Sequence, residues 1–147
     1  MAEYQEAFEE GIQAAKKASA AKKEIEEVFV ELNRELRDVT ENKVEIRRET
    51  RTRKPLWELA VTYAIRQALG PVDKYVALVA VNPSDEGIPK KELAEWKQGR
   101  FGYPCRIISE DREVSCENRE ALEQALADLL REPSVGEKLF ALLSEEA

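Results

Sequence analysis

Residues 55–70 read PLWELAVTYAIRQALG, and this stretch is apolar on nearly every side of a helical wheel. Only one narrow polar stripe interrupts it, at every fourth position from Glu58. Pro55 suits the first position of a helix, and Gly70 followed by Pro71 provides a C-terminal cap and then a stop. The sequence therefore predicts a central helix that the rest of the chain buries.

The composition of the whole chain limits the classes of function. Its 147 residues suit one domain, and 30 acidic against 23 basic residues give a net charge of −7, which disfavours a general polyanion binder. No secretory signal is visible, and no apolar run approaches the roughly 20 residues that span a bilayer. Histidine is absent, which removes the usual general base and the commonest transition-metal ligand. We therefore expect a cytoplasmic protein without a membrane partner, a metal or a cofactor.

The first third of the chain favours one long helix. Residues 2–42 contain no proline and a single glycine, Gly11, and are rich in Ala, Glu and Lys. An apolar stripe follows steps of four and three. Its first half is weak and rich in small residues, which suits close helix packing or a frayed end, and is made of Tyr4, Phe8, Gly11, Ala15, Ala18 and Lys22. Its second half is a clean heptad stripe made of Ile25, Phe29, Leu32, Leu36 and Val39.

This stripe must pack against something, and it predicts self-association through the N-terminal helix as a homo-oligomer of coiled-coil type. The alternative is a helix that lies across the sheet of its own domain. The predicted organisation is a helix over residues 1–42 followed by a compact α+β domain over residues 43–147.

The segment after this helix alternates with a period of two and predicts a strand over residues 44–53. One face carries Val44 and Ile46, and the other face is fully charged. One interpretation is an edge strand whose basic residues pair with its interleaved glutamates and discourage aggregation. The other is a nucleic-acid-binding patch built from Lys43, Arg47, Arg48, Arg51, Arg53 and Lys54.

A second strand is predicted over residues 75–81, because this short apolar run between prolines is typical of a strand covered on both faces. The order strand, helix, strand permits a right-handed crossover that would place the two strands parallel.

Residues 82–104 form the least regular part of the sequence. Pro89 can open a short helix that runs to Gln98, and a glycine-punctuated aromatic loop follows. A long connection of this kind is often functional. We expect it to bind a protein partner, unless its aromatic rings fold back to close one end of the core. The candidate contact residues are Lys90, Lys91, Trp96, Arg100, Phe101 and Tyr103.

The most specific signal is a hairpin. If Glu110-Asp111 is a two-residue turn, Ile107 faces Val114 and Cys105 faces Cys116, all on one side. The two thiols would then lie close together. A disulfide is geometrically conceivable, but in a reducing compartment two buried thiols are favoured.

Two C-terminal helices complete the predicted fold. Asn118 suits the N-cap of a helix over residues 119–131, and a final helix follows Pro133. The expected architecture is α+β: a small, mostly antiparallel sheet of about four strands, packed by the buried central helix and the C-terminal helices, with the long helix at the N-terminus.

The strongest enzymatic hypothesis is a metal-dependent nuclease that uses Asp85, Glu95 and Lys97. Glu95 and Lys97 fall in the predicted short helix, where residues i and i+2 point apart, so no catalytic site is predicted. The sequence favours a non-catalytic protein-interaction module of regulatory, inhibitor or adaptor type. It would self-associate through its N-terminal helix and bind a macromolecular partner through the 82–104 loop. The alternative is a nucleic-acid-binding or nuclease-like protein that uses the basic segment 43–54.

Overall fold

The computed structural model describes residues 3–53 and 74–144 and has an α+β fold. A long N-terminal helix, five strands and two C-terminal helices confirm the predicted class, with one strand more than the expected number. The predicted central helix over residues 55–70 lies outside the described residues. The elements are α1 (Tyr4–Thr40), β1 (Glu45–Thr52), β2 (Lys74–Val81), β3 (Lys91–Gly99), β4 (Gly102–Ile108), β5 (Glu113–Cys116), α2 (Arg119–Arg131) and α3 (Pro133–Ser144).

The five strands form one sheet in the order β1-β2-β3-β4-β5, and every neighbouring pair is antiparallel. The parallel arrangement that the sequence permitted for β1 and β2 is therefore corrected. Thr52 lies opposite Lys74, so the connection between the two strands begins and ends at the same end of the sheet. The chain does not have to return across the sheet, as a parallel crossover would require.

The short helix expected after Pro89 is wrong, because this segment is strand β3. Leu78 of β2 faces Ala94 while Val79 faces Glu92, so Leu93 is an extra residue at a β-bulge. The bulge lets Leu93 and Ala94 both be buried and breaks the alternation that would have revealed a strand. Pairing with both neighbouring strands outweighs the helical preference of residues such as Lys, Glu, Leu and Ala.

The predicted hairpin is confirmed in every pairing. Ile107 faces Val114 and Cys105 faces Cys116, and the Ser109 amide donates a hydrogen bond to the Arg112 carbonyl across the turn. Both thiols are free and buried. The predicted start of α2 is also confirmed, since the Asn118 side chain accepts a hydrogen bond of 2.8 Å from the Ala121 amide.

The main hydrophobic core lies between one face of the sheet and the three described helices. It includes Ile25 and Phe29 of α1, Leu78 of β2, Trp96 of β3 and Leu122 of α2. A smaller cluster is centred on three alternate residues on the opposite side of β2, namely Ala77, Val79 and Val81. β2 is therefore buried on both faces, as its apolar sequence predicted.

One polar side chain joins α1 to the edge of the sheet. The Asn33 amide group donates 2.9 Å to the Ile46 carbonyl, and its oxygen accepts 2.8 Å from the Ile46 amide. These two bonds occupy backbone groups of β1, the edge strand, that another strand could otherwise pair with. They also fix the C-terminal half of α1 along this edge.

Candidate functional site

The two halves of α1 differ in their surroundings. Every residue from Glu3 to Lys17 is exposed, whereas the first fully buried side chain is that of Ile25. At about 1.5 Å per residue, the exposed part extends roughly 20 Å along the helix axis. We call residues 3–17, which are the N-cap residue and the first turns of α1, the overhang.

The heptad stripe that predicted self-association is largely used within its own chain. Ile25 and Phe29 are buried in the core, and Leu32 and Leu36 pack against it. Only Val39 is mostly exposed, at 79%. The prediction is therefore corrected for Ile25 and Phe29, because the sheet already covers the face that a second helix would need.

The overhang carries three large apolar side chains that no other described part of the chain covers. Tyr4 is 81% exposed, Phe8 68% and Ile12 41%. Spaced four residues apart, they lie along one side of the helix. Large apolar groups at this spacing, without cover from the described residues, indicate a contact surface.

A second exposed ring lies at the turn between β3 and β4. Phe101 is 64% exposed, with the Arg100 guanidinium 5.5 Å from its ring centre. Tyr103 is half-buried and its hydroxyl donates 2.7 Å to Glu24 of α1. Burial, together with this hydrogen bond, raises the pKa of Tyr103, so the hydroxyl stays protonated. The turn is thus fastened to α1 while Phe101 remains accessible.

α1 and this turn enclose an apolar cavity of about 570 Å³. One wall is built mainly from small residues of α1 between Gly11 and Ala21, and the other from the rings of Phe101 and Tyr103. Lys17 and Glu117 also line the cavity. The sequence indicated the two rings but not the α1 wall. The run of small residues in the first half of the stripe was the available signal.

The structure divides the predicted partner-binding residues between core and surface. Trp96 is 4% exposed and packs on Phe29 in the core. The prediction that Trp96 contacts a partner is therefore corrected. The predicted alternative, in which rings fold back into the core, holds for this residue. Lys90 forms an ion pair of 3.0 Å with Glu49, and Lys91 begins β3.

The predicted basic patch is not continuous. Arg48 lies on the helix-covered face of β1, over the ring of Phe29. Because side chains alternate along a strand, Arg47 and Arg51 lie on the other face. The guanidinium groups of the strand also meet carboxylates: Arg47 pairs with Glu45, Arg48 with Glu26, Arg51 with Glu92 and Arg53 with Glu95. Lys43 is exposed before the strand, and Lys54 lies outside the described residues. This arrangement corresponds to the paired edge strand.

The three residues of the nuclease hypothesis have separate surroundings. Asp85 accepts 2.9 Å from the Gly87 amide in a turn, and Glu95 pairs with Arg53. Because β3 is a strand, Glu95 and Lys97 lie on one face, which corrects the expectation that they point apart. Within residues 3–53 and 74–144, no group of three His, Cys, Asp or Glu side chains could hold a metal ion.

The two thiols lie in an apolar environment that suppresses ionisation. Burial, together with the neighbouring Cys116, raises the pKa of Cys105 to about 11. Burial also raises the pKa of Cys116. The thiolate is the reactive form, so a raised pKa lowers reactivity near neutral pH.

We expect both thiols of the native protein to resist a thiol reagent between pH 7 and pH 9, because little thiolate forms below the raised pKa of Cys105. Absorbance after addition of a chromogenic disulfide measures this, with protein unfolded in guanidinium chloride as the control. Rapid reaction of the native protein at pH 8 would contradict the buried hairpin.

Comparison of the chain with protein-family models, curated proteins and solved structures found no match. Within the described parts of the chain, no helix is both long and apolar enough to cross a membrane.

Proposed function

We propose that this chain is a non-catalytic protein-interaction module. It self-associates through its N-terminal helix and binds a macromolecular partner through residues 82–104. This segment was predicted as a loop and in the structure contains β3 and the turn before β4. The observation that carries the proposal is the position of four large exposed apolar side chains. Tyr4, Phe8, Ile12 and Phe101 lie on the two elements that line the 570 Å³ cavity.

This surface has the composition of a protein contact. Aromatic side chains contribute most to binding when they enter a recess in the partner, and here exposed rings adjoin such a recess. The recess is lined mainly by small and aromatic side chains, together with Lys17 and Glu117, so it offers more area for packing than groups for acid–base chemistry. These features favour recognition over catalysis.

The surface is also built on ordered elements. Tyr103 bonds to Glu24, and Gly102 lies directly against Ala21 of α1. At the start of segment 82–104, the Asn82 side chain accepts a hydrogen bond of 2.9 Å from the Ser84 amide. A preformed surface loses less conformational entropy on binding than a loose one.

Cross-linking in the native cell tests the proposal. A photoreactive phenylalanine analogue replaces Phe101 in the full chain, and the same replacement at Phe140, 71% exposed on α3, is the matched control. We expect discrete adducts at position 101 that are absent at position 140. Equal labelling at both positions, or no adduct at position 101, would contradict the proposal. The mass of each adduct separates a second copy from another protein.

A further inference from the structure

The N-terminal part of α1, from the overhang through Lys23, carries two blocks of opposite charge. Residues 3–10 contain four glutamates and no basic residue, and residues 16–23 contain four lysines and no acidic residue. The five residues between them, 11–15, are uncharged. None of these eight charged side chains forms an ion pair with another described residue. These side chains therefore have no ion-pair partner in the part of the chain that the structure describes.

We propose that a second copy of this chain supplies the opposite charges, through antiparallel pairing of residues 3–23 of the two copies. The inference rests on the proposed self-association and names its geometry. Antiparallel pairing centred on Gln13 sets the acidic block of each copy against the lysine block of the other. Parallel pairing would set like charges together, which is repulsive.

The same register matches the apolar stripe. With the centre at Gln13, stripe positions whose numbers add to 26 lie opposite one another. Phe8 then meets Ala18 of the partner, and Gly11 meets Ala15. A large side chain on one helix thus faces a small one on the other, which lets the two helices approach closely and interlock.

The cavity receives the partner's aromatic side chain in this arrangement. Ala18 lies in the cavity wall, with Phe101 and Tyr103 opposite. A phenylalanine placed over Ala18 enters this space and stacks beside Phe101. The two-fold axis produces the contact twice, so each copy both donates and receives Phe8.

The size of the contact predicts a modest affinity. Two short helical segments and four aromatic rings bury an area at the lower end of specific interfaces. We expect a dissociation constant in roughly the micromolar range, and weaker association as salt screens the charge blocks.

Sedimentation equilibrium over a range of concentrations tests the surface. The full chain is compared with Phe8→Glu and with the matched control Val39→Glu, which places the same charge at the exposed end of the heptad stripe. We expect the wild type and Val39→Glu to dimerise, and Phe8→Glu to dissociate at least tenfold more readily. Dissociation of Val39→Glu instead would overturn the proposal and return the contact to the heptad stripe.

Charge rescue tests the direction of pairing in the same measurement. Replacing Lys16 and Lys17 with Glu should weaken the dimer, because each acidic block then faces fewer lysines. Adding Glu9→Lys and Glu10→Lys restores opposite charges across an antiparallel pair, whereas a parallel pair gains nothing. Recovery of dimerisation is therefore expected, and continued dissociation would contradict the antiparallel register.

Spin labels give the direction independently. Labels at Gln13→Cys and Ala20→Cys both lie on the side of α1 away from the stripe, and the native thiols are buried. Along the axis, two labels at position 20 should lie about 21 Å further apart than two at position 13. Equal separations in a dimer would overturn the antiparallel geometry and leave the proposed function standing. A monomer at every concentration would overturn both this pairing and the proposed self-association.

Discussion

Replacing Phe29 with alanine is expected to lower the free energy of unfolding by about 3–5 kcal/mol, the range found when buried aromatic residues are truncated. Phe29 is 4% exposed, and its ring meets the ring of Trp96 edge-to-face at a centroid distance of 5.2 Å. The Arg48 guanidinium lies 4.3 Å from the same ring. Truncation would leave a cavity between α1 and β3 and remove both contacts. Urea denaturation of the full chain measures the change.

Phe8→Ala is the matched control, because it removes the same side chain from the same helix. Phe8 is 68% exposed, so in dilute solution its removal should change the free energy of unfolding by less than about 0.5 kcal/mol. Equal losses for Phe8→Ala and Phe29→Ala at low concentration would contradict the division of α1 into a buried half and an overhang.

Replacing Gly102 with alanine is expected to destabilise the fold by about 2–5 kcal/mol, from backbone strain and overpacking together. Its φ of +103° is a backbone conformation that residues with a side chain rarely adopt. A Cβ at this position would also lie 2.7 Å from the Cβ of Ala21. The substitution must therefore push α1 away from β4. Thermal unfolding followed by circular dichroism measures the effect.

Gly11→Ala provides the matched control for the glycine substitution. A Cβ at Gly11 meets nothing within 4 Å, and the residue lies inside a helix. Alanine should stabilise the monomer by roughly 0.5–1 kcal/mol through helix propensity. A Gly102→Ala variant as stable as wild type would show that α1 does not press against the start of β4.

The parts of the fold that sequence predicted well depend on local chemistry. The hairpin around Glu110-Asp111 has a turn and two strands that share one apolar face. A register slip of one residue would move the apolar side chains of one strand to the opposite face. Asn118 begins α2 because its side chain supplies a hydrogen bond to an otherwise unpaired amide. The long run of helix-forming residues before Glu41 likewise predicted α1 to within three residues at each end.

The parts that sequence missed depend on contacts between distant residues. The sequence pattern did not reveal β3 as a strand, because a bulge at Leu93 places two consecutive residues in the core. The antiparallel direction of β1 and β2 depends on pairing between residues far apart in the chain, such as Glu45 and Val81, which residue patterns do not reveal. The stripe from Ile25 to Val39 fitted a sheet and a second helix equally well, and only the fold shows that the sheet covers most of it.

The sequence likewise predicted only part of the candidate site. Phe101 and Tyr103 could be identified from their glycine-punctuated loop, and both line the cavity. Trp96, seven residues earlier than Tyr103, is a core residue because strand alternation turns it toward Phe29. The alanine wall of α1 was missed because small residues indicate close packing without naming the element that approaches.

Amide hydrogen exchange along α1 tests the central claim most directly, namely that one continuous helix has a buried half and an exposed half used for pairing. In dilute solution we predict strong protection from Ile25 to Leu36 and weak protection across residues 5–17. At high concentration the protection of residues 5–17 should rise, while that of Ile25 to Leu36 stays the same. Uniform protection of α1 at low concentration, or fast exchange at Phe29, would contradict the account.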